Sequence, residues 1–131
     1  MATSAPLLEI RDLHVTFQKG KQIVNAVAGV NLQVAKGTTL GIVGESGSGK
    51  STIARAIMQL TPITSGSILL EGTNLASLPA NEMRTLRKEM QMVFQDPGGS
   101  LNEYMKVGDI ITEPLLVHKV SKKSELGAHA K

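Results

Sequence analysis

The 131-residue chain carries 14 Lys and Arg against 11 Asp and Glu, and 41% of its residues are apolar. That supports one small domain with a modest core, and the absence of cysteine excludes disulfides and thiolate metal sites, in keeping with a reducing cytoplasm. A net charge of +3 with two Phe and one Tyr gives no basic, aromatic-lined nucleic-acid surface, and no apolar run reaches the length of a membrane span.

In chain order, Met1 to Pro6 lacks the basic and apolar regions of a signal peptide. Leu8 to Phe17 reads as a strand with partial alternation, followed by the polar turn Gln18 to Lys21. Ile23 to Val34 is a second extended region, with Asn25 and Gly29 as weak points that divide it. Ala35-Lys36-Gly37 turns the chain into a third strand, Thr38 to Val43, and this leads into Gly44-Glu45-Ser46-Gly47-Ser48-Gly49-Lys50-Ser51. The spacing G-x-x-x-x-G-K-[ST] is complete, and a helical pattern over residues 50–60 follows it.

Each residue type in this segment has a chemical reason. Glycines at 44, 47 and 49 permit positive φ and close approach of backbone N–H groups to an anion. The start of the following helix aims its unpaired N–H groups at the same point. Lys50 reaches the β- and γ-phosphates and the Ser51 hydroxyl ligates Mg²⁺, so the ligand implied is a nucleoside triphosphate with magnesium. A plain glycine-rich connection explains the glycines but not the Lys-Ser pair.

Beyond this loop, Pro62 stops the helix and Gly66 marks a turn into a strand, Ser67 to Gly72. A helix over roughly 82–89 starts near Pro79 or Asn81. Met90 to Phe94 reads as a buried strand ending at Gln95-Asp96-Pro97. Ser100 caps a helix carrying Val107, Ile110, Ile111 and Leu115, interrupted by Pro114. Lys119, Lys122, Lys123 and Lys131 against Glu125 read as a solvated, frayed tail, and His14, His118 and His129 are too far apart for a helical metal pair. The resulting order is β, β, β, α, β, α, β, α, an α/β core entered by antiparallel strands.

With these residues in hand, the chain resembles the nucleotide-binding subunit of an ABC transporter, in the oligopeptide/dipeptide-importer branch. Three passages carry the likeness: Val43 to Thr52, Gly66 to Gly72, and Met92-Val93-Phe94-Gln95-Asp96-Pro97 with Ser100-Leu101-Asn102. The resemblance implies an α/β P-loop NTPase core of ABC type, truncated, with an N-terminal antiparallel β portion. Residues 1–118 would be a partial nucleotide-binding domain running from the phosphate loop to the Q-loop and its following helix, and 119–131 a basic tail.

ATP and Mg²⁺ are the implied cofactors. Gly44, Glu45, Ser46, Gly47, Ser48, Gly49, Lys50, Ser51 and Thr52 would bind the nucleotide, with Ser51 and Gln95 at the metal. Gln95 would be the Q-loop glutamine, ligating Mg²⁺ or orienting the attacking water. Phe17 stacks on adenine or is simply a buried strand residue; both readings stay open. Glu103 departs from the proline that the branch usually places after Ser-Leu-Asn.

The implied partners are transmembrane permease subunits and a second ATP-binding subunit, placing the chain on the inner face of the cell membrane without insertion. The implied function is to energise uptake of peptides or related solutes. The family's Leu-Ser-Gly-Gly-Gln signature, its Walker B Asp-Glu and its switch histidine do not occur in these residues. No catalytic residue is therefore assigned, and hydrolysis by this chain alone is not expected. The alternatives are a non-hydrolysing ATP-binding fragment and a small P-loop kinase or GTPase. The last needs a further acidic magnesium ligand and a base-specific loop, which the sequence does not offer.

Overall fold

A computed structural model describes residues 5–96 and 98–120. Strands β1 (Leu8–Lys19) and β2 (Gln22–Val34) form a hairpin through Gly20-Lys21. Strands β3 (Ser65–Leu70) and β4 (Thr73–Asn74) complete an antiparallel sheet of order β2-β1-β3-β4. The β3–β4 turn is Glu71-Gly72, both in the left-handed region, so the expected strand to Gly72 ends at Leu70.

The partial alternation in β1 has a structural cause. Ile10, Leu13 and Val15 are all buried, although Ile10 and Leu13 are three residues apart. Pairing passes from Ile10↔Leu32 to Leu13↔Val30, so β1 carries one residue more than β2 over this step. The resulting bulge holds both apolar side chains on one face. Asp12 takes a φ of 46° there, and its N–H donates to Asn31 Oδ1 at 2.9 Å. Gly66 sits against the bulge from within β3, at φ 92°, where a Cβ would run into the Arg11 and Asp12 carbonyls. The glycine expected to mark a turn is instead the residue that accommodates the bulge.

On β2 the surplus residues are Ala26 and Gly29, opposite register shifts at Val15/Thr16 and Leu13/His14. Asn25 and Gly29 therefore do not divide the strand; it continues through both, locally bent.

Helix α1 (Lys50–Ile57) buries Ile53 and Ala56. It ends three residues before the expected position because Gln59 adopts φ 52°. The Gln59 N–H then donates to Ala56 O and the Leu60 N–H to Arg55 O, a Schellman closure made without glycine. A short 3₁₀ turn, Leu75–Ser77, is capped by Asn74 Oδ1 accepting from the Ala76 N–H. Helix α2 (Ala80–Leu86) follows Pro79, whose carbonyl accepts from the Met83 N–H.

Four other expectations are corrected. Thr38 to Val43 and Met90 to Phe94 are not strands, and Val43 and Val93 are 97% and 89% exposed. Backbone N–H and C=O groups in a central strand need a partner on each side, and among the described residues no strand pairs with either segment. Ser100 falls in a 3₁₀ turn, Gly98–Ser100, and caps no α-helix. Helix α3 (Val107–Val117) starts after Lys106 and runs through Pro114 without interruption. Residues 1–83 and 84–131 form two compact units, and residues 121–131 of the expected tail lie outside the described residues.

Candidate functional site

The loop before α1 is built from the strand backbone upward. Gly49 precedes α1 at φ 90°, and a Cβ there would strike the Ala26 carbonyl oxygen of β2 and approach Val27. Only glycine lets the helix start lie this close to β2. Ala26 therefore belongs to the site's support, although nothing in its sequence context signals it. Gly47 takes φ 83°, and a Cβ on Gly44 would lie 2.8 Å from Ser48 Oγ.

Lys50 closes the loop from within. Its Nζ donates to Gly44 O at 2.8 Å, Glu45 O at 2.5 Å and Ser48 Oγ at 3.1 Å. The Ser48 N–H donates to Glu45 O, tightening the same turn. No side chain caps the N-terminus of α1, and no acidic residue lies in its first turn. An open cavity of about 130 Å³ sits there, lined by Gly47, Ser48, Gly49, Lys50, Ser51 and Thr52. An uncapped helix start, glycine-held N–H groups, the Lys50 ammonium and the hydroxyl residues Ser48, Ser51 and Thr52 form a donor set suited to a polyphosphate. Ser51 in this lining offers the hydroxyl suited to Mg²⁺.

Phe17 and Gln95 are not among the residues of that lining. Phe17 lies on β1, paired with Val24, in the same alternating row as Leu13 and Val15. It is 43% exposed, so it is not a buried strand residue. Gln95 lies at an exposed bend in the second unit and does not line the cavity. Among the described residues no group of three or more His, Cys, Asp or Glu could hold a metal ion.

The outer sheet face carries a separate polar chain. Arg11 Nη2 donates to Glu9 Oε2 at 2.8 Å and Gln33 Nε2 to Glu9 Oε1 at 2.9 Å. These donors hold the Glu9 carboxyl below the ordinary carboxylate range, and Glu9 in turn raises the Arg11 guanidinium.

Residues 27–129 match the ABC transporter family. This chain belongs to that family. It is 50% identical over 125 residues to the oligopeptide transport ATP-binding protein OppD of Bacillus subtilis, covering 90% of this chain and 35% of OppD. It is 48% identical over 118 residues to the dipeptide transport ATP-binding protein DppF of Lactococcus lactis, covering 88% of this chain and 38% of DppF. Its fold superimposes with a TM-score of 0.81 on the ATP-binding cassette MJ0796 in a post-hydrolysis state bound to ADP and Pi. That likeness is 25% identical and covers 94% of this chain and 53% of the cassette. The fold is thus that of an ABC cassette, and the chain spans little more than a third of the two transport proteins. Among the described residues no helix is long and apolar enough to cross a membrane.

Proposed function

We propose that residues 44–52 of this chain bind the phosphates of Mg-ATP within an ABC subunit that energises uptake of peptides or related solutes. The observation that carries the reading is the closed loop around Lys50, set on an uncapped helix start that only Gly49 can bring against β2. The printed names of the relatives, oligopeptide and dipeptide transport ATP-binding proteins, support the solute class.

In this reading Lys50 exchanges its loop carbonyls for phosphate oxygens, and the N–H groups at the start of α1 face the same anion. Ser51 holds the magnesium ion and Gln95 joins it from the Q-loop. Phe17 presents its exposed ring to the adenine. Magnesium, when bound, neutralises phosphate charge, while this chain's residues bind and orient the nucleotide and none is assigned to activate water. Permease subunits and a second ATP-binding subunit complete the assembly at the inner face of the membrane.

Calorimetric titration of the chain with Mg-ATP tests this. Saturable binding is expected, weakened about 10- to 100-fold in Lys50→Ala because a charge-assisted contact is lost. Equal affinity of the two proteins for Mg-ATP, or no binding by either, would contradict the assignment.

A further inference from the structure

A second cavity, of about 210 Å³, lies wholly within the 84–131 unit and is lined by Arg84, Thr85, Lys88, Val117, His118 and Lys119. It is formed where the end of α2 meets the end of α3. The two ends are tied by Arg84 Nη2, which donates to Val117 O at 3.2 Å. Helix α3 closes with Lys119 in the left-handed region at φ 55°: the Lys119 N–H donates to Leu116 O and the Val120 N–H to Leu115 O. This closure fixes the point at which the Lys119 side chain leaves the helix, beside the cavity.

A cation near a helix C-terminus has a simple structural explanation, since the last carbonyls and the helix dipole favour it. Arg84 fits that description through its bond to Val117. Lys88, just past α2, and Lys119, just past α3, fit it by position, yet among the described residues neither ammonium belongs to an ion pair. Three residues with formally cationic side chains and one histidine thus line one concavity, with no carboxylate residue in its described lining. Like charges gathered this way repel one another, and a bound anion relieves the repulsion. A single carboxylate would leave most of that charge uncompensated. A tetrahedral phosphate dianion matches it better and accepts from several donors at once.

We infer that this cavity is a second anion site, separate from the loop at 44–52, that takes a phosphate group. The group comes either from a small phosphate-bearing solute or from the headgroup of an anionic phospholipid.

The test uses the 131-residue chain carrying Lys50→Ala, so that the loop before α1 contributes little, and reads backbone amides by NMR at constant ionic strength. Titrated with inorganic phosphate, the amides of Lys88 and Val117 to Lys119 are expected to shift saturably. Adding Lys88→Gln and Lys119→Gln should raise the dissociation constant at least about tenfold; both side chains belong to exposed residues, so the β1–β3 resonances should stay in place. In parallel, the chain is sedimented with phosphatidylglycerol or phosphatidylcholine vesicles. Capture by phosphatidylglycerol alone, lost in the double glutamine variant, assigns the headgroup; a response to inorganic phosphate without capture assigns the solute. Shifts and capture that are both absent, or both unchanged by the glutamines, overturn the inference.

Discussion

Lys50 and Glu9 show how differently a charged side chain acts when its partners are fixed backbone atoms or mobile surface groups. Lys50 is held by carbonyls that the loop cannot move far without breaking its own turn, so its ammonium is positioned before any ligand arrives. An arginine there would be a poor replacement, because a planar fork does not fit a socket shaped for a point charge. Glu9 is held by Arg11 and Gln33 on the outer face, where solvent screens the pair. Its carboxyl titrates below the ordinary glutamate value of 4.5, so the carboxylate favours the folded state above that pH. The contribution is lost as pH falls through the lowered folded value. Comparing Glu9→Gln with the parent by denaturant midpoints, we expect a small deficit at neutral pH that shrinks as pH drops below 4.5. A deficit that grows on acidification would show that Glu9 is not stabilised as its hydrogen bonds indicate. The loop at 44–51 was legible in the sequence because glycine spacing and the Lys-Ser pair encode backbone geometry directly. Ala26 was not, because its contribution is a carbonyl oxygen that any residue possesses.

At the scale of elements, the bulge in β1 links three strands through one irregularity. It keeps Ile10 and Leu13 on one face, aligns Asn31 with the Asp12 N–H, and presses two carbonyls toward Gly66. Gly66→Ala would combine an unfavourable φ with a collision against backbone that has no rotamer to change. A loss of about 2 kcal/mol or more is expected from urea unfolding. A loss under about 0.5 kcal/mol, typical of an inert surface site, would mean that β3 shifts freely away from β1. The sequence revealed β1, β2, α1 and β3 through their apolar residues, but not the bulges, which follow from pairing partners distant in the chain. It misplaced the end of α1, where Gln59 adopts a conformation usually left to glycine. It also read Thr38 to Val43 and Met90 to Phe94 as strands from their apolar and β-branched content. Such content marks a segment suited to a sheet, whereas forming the strand depends on neighbours.

Across the whole chain, burial is unevenly divided between the two units. The buried apolar residues Ile10, Leu13, Val15, Val27, Ile53, Ala56, Ile68, Leu75 and Met83 all belong to residues 1–83. In the second unit the one buried residue among the described residues is Thr112, whose hydroxyl donates to Gly108 O at 2.8 Å within α3. Apolar burial is the main favourable term in folding, so the two units should open with different free energies. The first has a sheet and helix closing on a shared core; the second rests mainly on helical hydrogen bonds and the Arg84 tie to Val117. Amide hydrogen exchange under native conditions separates these cases. The β1, β2 and β3 amides should exchange together and slowest, while those of α3 should exchange at least about tenfold faster. Mg-ATP should slow exchange in α1 and in the sheet behind it, because binding to the folded state lowers the population of open forms. Protection in α3 equal to that in β1 would show that the chain opens as one cooperative body and that the second unit draws on stability beyond its own contacts.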